Sequence, residues 1–324
     1  MEQRQLGRTG IAVPPIVFGG NVFGWTLDRQ ASFRILDKLL DMGLTCIDTA
    51  DVYSAWVPGN QGGESETIIG EWMAARGNRA QVTILTKVGM QMGPRDAQGN
   101  GPKHAVGLSR RWIMQSVEDS LRRLRTDVID LYQAHKDDPE TPLEETLGAF
   151  AELMKAGKVR AIGASNYSAQ RLKAALDTSA RLGLPRYETL QPHYNLMERE
   201  GFEAELGPLC AGEGLGVINY YALASGFLTG KYRSEADFGK SARGAGMAKY
   251  LTSRGQAVLG TLDAIAGEVS ATPAQVALAW LLAKPVVTAP IASATNEAQI
   301  EDLVKAAALK LPAEAVARLD KASS

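Results

Sequence analysis

Residues 46–53 read CIDTADVY, and this stretch decides the fold. The apolar run Leu44–Thr49 carries a carboxylate, Asp48, near its far end, and Tyr53 follows shortly after. Two later stretches repeat the arrangement, with Lys87 in ILTKVG (84–89) and His135 closing IDLYQAH (129–135). Continuous apolar runs of this length are what strands covered on both faces look like. The intervals from Asp48 to Lys87 and from Lys87 to His135 are each close to one strand–helix unit. Asp48, Tyr53, Lys87 and His135 are therefore expected at the ends of four successive strands. In a closed (β/α)8 barrel such ends meet on the C-terminal rim, where barrel enzymes keep their chemistry.

Working outward, short β-type runs alternate with helical patterns along the whole chain. A hairpin is expected first, from Gln3–Leu6 and Ile11–Pro14 about the turn Gly7-Arg8-Thr9-Gly10. Strands are then expected at Ile16–Gly20, Leu44–Thr49, Val82–Val88, Val128–Ala134, Val159–Ala164, Thr189–His193, Val217–Tyr221 and Val287–Ala292. Ser109 is placed to cap a helix over Arg110–Leu124, and Pro142 to open one running through Lys155. Thr272 and Pro273 read as the cap and first residue of a helix to about Ala283. Eight such units predict an α/β chain folded as one (β/α)8 TIM barrel over residues 1–324, with an open doubly wound sheet as the competing arrangement. Two stretches rich in Gly, Pro and polar residues, Gly89–Gly107 and Ala224–Tyr250, read as long loops on the rim that holds the site.

Composition narrows the function. With 35 Lys+Arg against 36 Asp+Glu the net charge is -1, which gives no basic face for nucleic acid or an anionic membrane. No apolar run approaches the roughly 20 residues that span a bilayer. MEQRQLGRTG lacks the apolar core of an export signal. Cys46 and Cys210 stand alone, outside any CxxC, so a reducing cytoplasmic setting without disulfides or a Cys/His metal site is expected.

The four polar residues suggest a chemistry. Reducing a carbonyl by hydride needs a proton for the oxygen as it becomes an alkoxide. A tyrosine is a weak acid, with an unperturbed pKa of about 10, and a nearby ammonium lowers it. Lys87 is placed to supply that charge to Tyr53, Asp48 to hold and polarise the lysine, and His135 to orient the substrate oxygen or relay the proton. Run backwards, the same groups take a proton from an alcohol.

With these residues in view, the chain resembles the aldo-keto reductases. LGRTGIAV (6–13), IDTADVYS (47–54), GGESETIIG (62–70), LTKVG (85–89), DLYQAH (130–135), GKVRAIGASNYS (157–168), LQPHYNL (190–196) and ASGFLTGKY (224–232) are all similar to that family's signatures, in order. The resemblance implies a barrel binding NAD(P)H in an extended pose, with Asp48, Tyr53, Lys87 and His135 as catalytic tetrad and Tyr53 as acid/base. It lies nearer the bacterial and channel-subunit-like branch than the mammalian aldose-reductase branch.

A Rossmann fingerprint is not the source of cofactor binding. Gly212-Glu213-Gly214-Leu215-Gly216 precedes a strand rather than following one, and reads as a helix stop and turn. The resemblance instead assigns Ser165, Asn166 and Gln191 to the nicotinamide carboxamide, which amide and hydroxyl groups suit because they both donate and accept. It assigns Tyr220 to stacking on the ring. Gly20, Asn21 and Asp48 are expected on the same side. Tyr220-Tyr221-Ala222-Leu223 departs from the family's usual Tyr-Ser-Pro-Leu, while Ser225, Gly226, Leu228 and Lys231 match a segment that covers the pyrophosphate, with Arg243 as a further phosphate contact. Toward the adenosine, Ile291, Ala292, Ser293, Thr295 and Gln299 are expected as contacts. Thr295 stands where many relatives carry an Arg, and Leu303 where an Asn is frequent. NADP(H) is the cofactor expected, with NAD(H) open beside it.

The resulting expectation is an oxidoreductase interconverting a small carbonyl, cyclic or sugar-like ketones included, and its alcohol. Phe23, Trp25, Tyr53, Trp56, His135 and Met90 are expected around the substrate. A second reading is a cofactor-binding sensor like the potassium-channel β-subunits, against which stands the absence of a long segment before the barrel. A third is a lyase or isomerase using Lys87 as a Schiff-base amine.

Overall fold

The computed structural model describes residues 1–93, 102 and 105–324. A two-stranded antiparallel hairpin, β1 (Arg4–Gln5) and β2 (Ala12–Val13), precedes an eight-stranded parallel sheet. Its strands are β3 (Val17–Gly19), β4 (Cys46–Asp48), β5 (Thr83–Val88), β6 (Ile129–Ala134), β7 (Val159–Ser165), β8 (Thr189–Gln191), β9 (Gly216–Val217) and β10 (Ile291–Ala292). Each pairs with the next in sequence, and β10 returns to β3 with Ile291 opposite Val17. Between β9 and β10, Thr288 N–H donates to the Val217 carbonyl at 2.8 Å and Ile291 N–H to that of Asn219 at 2.9 Å, so the sheet closes on itself. The (β/α)8 expectation holds, hairpin included. Paired strand segments are shorter than the apolar runs at several positions, although single backbone bonds such as Thr49 N–H to the Leu85 carbonyl at 2.8 Å extend the pairing beyond them.

Helices alternate with the strands: α1 (Arg29–Asp41), α2 (Glu64–Arg76), α3 (Arg110–Leu124), α4 (Leu143–Lys155), α5 (Ala169–Leu182), α6 (Gly207–Glu213), α7 (Ser253–Glu268), α8 (Pro273–Leu282), α9 (Glu297–Ala308) and α10 (Ala313–Ala322). Their starts follow the chemistry of caps. Ser109 accepts from the Trp112 N–H, and Thr272 and Gln275 bond each other's backbone N–H groups around Pro273. Gly214, in the left-handed region at φ 65°, ends α6, as its glycine-rich surroundings suggest. No single helix among the described residues is long and apolar enough to cross a membrane. Only α7 and α8 taken together pass by composition, and they are bent 94° apart.

Period-two alternation sorts the strand residues into two layers. Val17, Cys46, Leu85, Leu131, Ala161 and Ile218 fill the barrel, sealed below by Leu6, Ile11 and Val13 of the hairpin region. Their neighbours Phe18, Ile47, Ile84, Tyr132, Ile162 and Val217 face the helices. Gly163 faces inward, where a Cβ would come within 2.0 Å of Thr189 Oγ1, so only glycine lets the interior layer close there. The same parity carries Asp48, Lys87, Gln133, His135, Ser165 and Gln191 inward at the upper end. Ala224–Tyr250 is built of three short 3₁₀ segments. Of the loop expected over Gly89–Gly107, residues 94–101, 103 and 104 lie outside the described residues.

Candidate active site

Asp48 ends β4, Lys87 is the fifth residue of β5, and His135 directly follows β6. Tyr53 does not end a strand. It sits in the turn after β4, so the tetrad comes from three strands rather than four, and that turn brings the phenol back over Asp48. Lys87 Nζ donates to Asp48 Oδ2 at 2.7 Å, to the Thr49 carbonyl at 2.8 Å and to the Tyr53 phenol oxygen at 2.9 Å. The Tyr53 hydroxyl donates to Asp48 Oδ2 at 3.2 Å. Asp48 and Lys87 are fully buried, whereas Tyr53 keeps an exposed edge. The rings of Tyr53 and His135 meet edge-on, with centroids 6.0 Å apart.

Electrostatics corrects one expectation. Burial, reinforced by the Asp48 charge, pushes the Tyr53 phenol well above its usual value, so it is not the lysine-lowered tyrosine read from the sequence. Counting a neighbouring ammonium without the cost of desolvating a phenolate gives the wrong sign. Burial lowers Lys87, with Asp48 pulling the other way. Burial, then the charges of Lys87 and Lys136, hold His135 well below the ordinary histidine range, so its ring is neutral.

The residues assigned to the carboxamide form a chain of their own. Ser165 Oγ donates to the Gln191 carbonyl at 2.8 Å, and Asn166, in the left-handed region at φ 55°, donates to the His135 carbonyl at 2.8 Å. The Tyr220 hydroxyl donates to Asn166 Oδ1 at 2.7 Å, and its ring stacks on His193 with centroids 5.2 Å apart. Gln191 Nε2 donates to Asp48 Oδ1 at 2.8 Å, so this side chain braces the tetrad, a role its sequence position did not reveal. With Gln191, Lys87 and Tyr53 on its two oxygens and no exposed surface, Asp48 does not present the direct ligand contact expected of it.

Across the same rim, the Asn21 amide donates to Ser293 Oγ at 2.8 Å and accepts from Arg243, whose guanidinium lies 5.0 Å from the Trp25 ring. Gly20 begins this turn beneath Asn21. Arg243 and Lys231 have no carboxylate partner among the described residues. Arg243 beside the Asn21 amide, with Lys231 near Gly226, fits a phosphate-bearing dinucleotide, and the plane of Tyr220 fits a nicotinamide. Tyr221, Ala224, Ser225 and Gly226 all take positive φ in the segment between, a tight turn that includes Ala222 and Leu223. Leu228 is fully buried in the core beneath it, so it supports this turn and is not a ligand contact. Beyond Ile291 and Ala292, Thr295 is exposed and its N–H donates to Gln299 Oε1 at 2.7 Å.

Aromatic residues flank the mouth. Trp25 and Trp56 meet edge-on at 5.7 Å, Trp56 and Tyr53 at 6.0 Å, and Met90 packs in the cluster beside Tyr53. Phe23 does not join them: it is fully buried and stacks on Phe18, a core residue rather than a substrate contact.

A second buried layer went unread in the sequence. Glu66 on α2 pairs with Arg123 on α3 at 2.7 Å and accepts from Thr86 at 2.6 Å. Asp51 lies beside them, accepting from the Ser116 hydroxyl at 3.2 Å, with its Oδ1 unpartnered. The signal was present as Arg123 beside the apolar face of amphipathic α3, whereas α2 has no distinct apolar face to set Glu66 apart.

Residues 15–324 match the profile described as the Aldo/keto reductase family. The chain is 36% identical over 321 residues to an uncharacterized oxidoreductase, YrpG, of Bacillus subtilis, covering 99% of this chain and 95% of that one. A probable voltage-gated potassium channel subunit beta of Arabidopsis thaliana is 34% identical over 314 residues, covering 94% and 91%. Versiconal hemiacetal acetate reductase of Aspergillus parasiticus is 30% identical over 345 residues, covering 99% and 96%.

Proposed function

The chain belongs to the aldo/keto reductase family and is an oxidoreductase, and from that premise we propose that it interconverts a carbonyl and the corresponding alcohol with NADP(H), using Tyr53 as general acid/base. The observation that carries the reading is the Lys87 ammonium donating to both Asp48 and Tyr53, at 2.7 and 2.9 Å. A nicotinamide dinucleotide, when bound, supplies or accepts the hydride.

The side chains do the rest. A phenol held above its usual pKa stays protonated, so Tyr53 enters a reduction with its proton in place. As negative charge grows on the substrate oxygen, Tyr53 gives up that proton, and Lys87 already donates to the oxygen on which phenolate charge appears. Asp48, braced by Gln191, fixes the lysine. His135, neutral, donates to the carbonyl oxygen without adding charge. Ser165, Asn166 and Tyr220 would orient the nicotinamide, and Arg243, Lys231 and Ser293 the phosphates. NAD(H) remains a second cofactor, since Thr295 brings no charge to a 2′-phosphate. The Trp25–Trp56 pair supports a ring-bearing or sugar-like substrate.

The kinship with potassium-channel β-subunits supports a second reading, a sensor that binds the cofactor without rapid turnover. One experiment separates the two. The purified protein is mixed with NADPH and NADH and assayed against aldehydes, cyclic ketones and sugars. Cofactor oxidation with at least one carbonyl, lost in Tyr53→Phe, is expected. Cofactor binding without turnover of any carbonyl favours the sensor, and no binding by a folded sample overturns both.

A further inference from the structure

Behind the tetrad lies an odd carboxylate. Asp48, Asp51 and Glu66 are all fully buried, and the cations facing them are Lys87 and Arg123. Asp48 is matched to Lys87 and Glu66 to Arg123, each at 2.7 Å. Asp51 has no cation of its own among the described residues. Its Oδ2 accepts from Ser116 at 3.2 Å, its Oδ1 has no partner, and its backbone N–H donates to the Lys87 carbonyl at 3.3 Å.

Every element around it contributes a neighbour. These are Lys87 from β5, Tyr132 from β6, Glu66 from α2, and Ser116 and Arg123 from α3, with Asp48 of β4 behind Lys87 and Thr86 of β5 behind Glu66. The two pairs cancel, so the five-member cluster is neutral only if Asp51 is. An unpaired carboxylate removed from water is strongly disfavoured, so the group keeps its proton.

We propose that Asp51 is a positioning residue for the Tyr53–Lys87 chemistry, neutral while the site works, whose loss of a proton shuts the reaction down on the alkaline side. The inference rests on the acid/base role of Tyr53 proposed above. Burial, then the Glu66 charge, pushes the Asp51 carboxyl up to about 8, against the weaker pull of Arg123, Ser116 and the Val52 amide. Once ionised, Asp51 adds a negative charge beside Lys87, and the Tyr53 phenolate becomes harder to form in either direction of reaction.

Three readouts test this, two of them independent of turnover. In infrared titration, the wild type should show a protonated-carboxyl band near neutral pH that fades with a midpoint of about 8 and is absent from Asp51→Asn. The tyrosinate absorbance assigned to Tyr53, taken as the difference from Tyr53→Phe, should appear at lower pH in Asp51→Asn than in the wild type. The fall in kcat above about pH 8 should vanish in the variant. Identical carboxyl bands in the two proteins, an unmoved tyrosinate midpoint, or an alkaline fall that survives in Asp51→Asn each overturn the proposal. A protein that turns over no carbonyl defeats the reductase reading while the infrared and absorbance titrations still judge Asp51. If Asp51→Asn does not fold, Ser116→Ala removes a donor to the ionised form and should move the infrared midpoint upward. An unmoved midpoint there overturns the proposal as well.

Discussion

Lys87 Nζ stands 2.9 Å from the Tyr53 phenol oxygen, in a place where the lysine is wholly buried and the tyrosine still meets the mouth of the barrel. This is the contact through which a buried charge can act on the phenol at the edge of the mouth. Tyr53→Phe keeps the ring and removes only the hydroxyl. It should lower turnover by roughly 10²–10⁴-fold, the usual worth of a positioned acid/base. Affinity for NADPH, read by fluorescence titration, should hardly change. Wild-type rates from a well-folded Tyr53→Phe are the result that removes Tyr53 from this role.

Lys87→Met tests the pair from the other side. It leaves the Asp48 carboxyl fully buried and without its cation. Removing one partner of a buried pair typically costs about 3–5 kcal/mol. Urea denaturation should show a loss of that order together with lost turnover. A Lys87→Met protein as stable as the wild type means that Asp48 has found another way to shed its charge.

On the proposed reading cofactor preference turns on Thr295, exposed three residues beyond β10 and bonded to Gln299 at 2.7 and 3.3 Å. A charge-assisted contact is worth about 1.5–3 kcal/mol. Thr295→Arg should raise the ratio of kcat/KM for NADPH over NADH accordingly. A ratio that does not move places the 2′-phosphate elsewhere.

Asp51 also makes a stability prediction with a definite sign. Its folded pKa of about 8 lies above the ordinary 3.8, so between these values the native state holds a proton that the unfolded chain has released. Stability is therefore lost as pH rises through that window, and the loss is complete above it. Asp51→Asn, which cannot ionise, should melt at a higher temperature than the wild type at alkaline pH, with the gap closing toward pH 4. A gap that does not vary with pH contradicts a native proton on Asp51.

The sequence disclosed what depends on local pattern. Alternation, caps such as Ser109 and Thr272, and the polar ends of apolar strands follow from short-range chemistry, and they fixed the barrel and placed Asp48, Lys87 and His135. What it hid depends on contacts far apart in the chain. Nothing near Phe23 distinguishes a core aromatic from a rim aromatic. The partner that gives Gln191 its bracing role lies 143 residues away. Glu66 and Arg123 look like solvated helix charges until α2 and α3 are packed together, when they become a buried pair. The direction of the Tyr53 shift needs burial, which no count of neighbouring charges supplies.

The floor of the barrel has a kinetic consequence. Leu6, Ile11 and Val13 are seated against Val17, Cys46 and Leu85, and with Leu131, Ala161 and Ile218 they pack the interior solid, so among the described residues Asp48, Lys87 and Tyr53 are approached from the upper rim. Two molecules that must both come that way form a queue. Under the proposed reading, a dinucleotide along Ser165, Asn166 and Tyr220 and a carbonyl at Tyr53 would share that approach, and the one bound deeper would arrive first and depart last. A barrel packed solid to its upper layer would thus turn two shallow ligands into a sequence, and on that reading steady-state patterns should show the deeper ligand as leading reactant and final product.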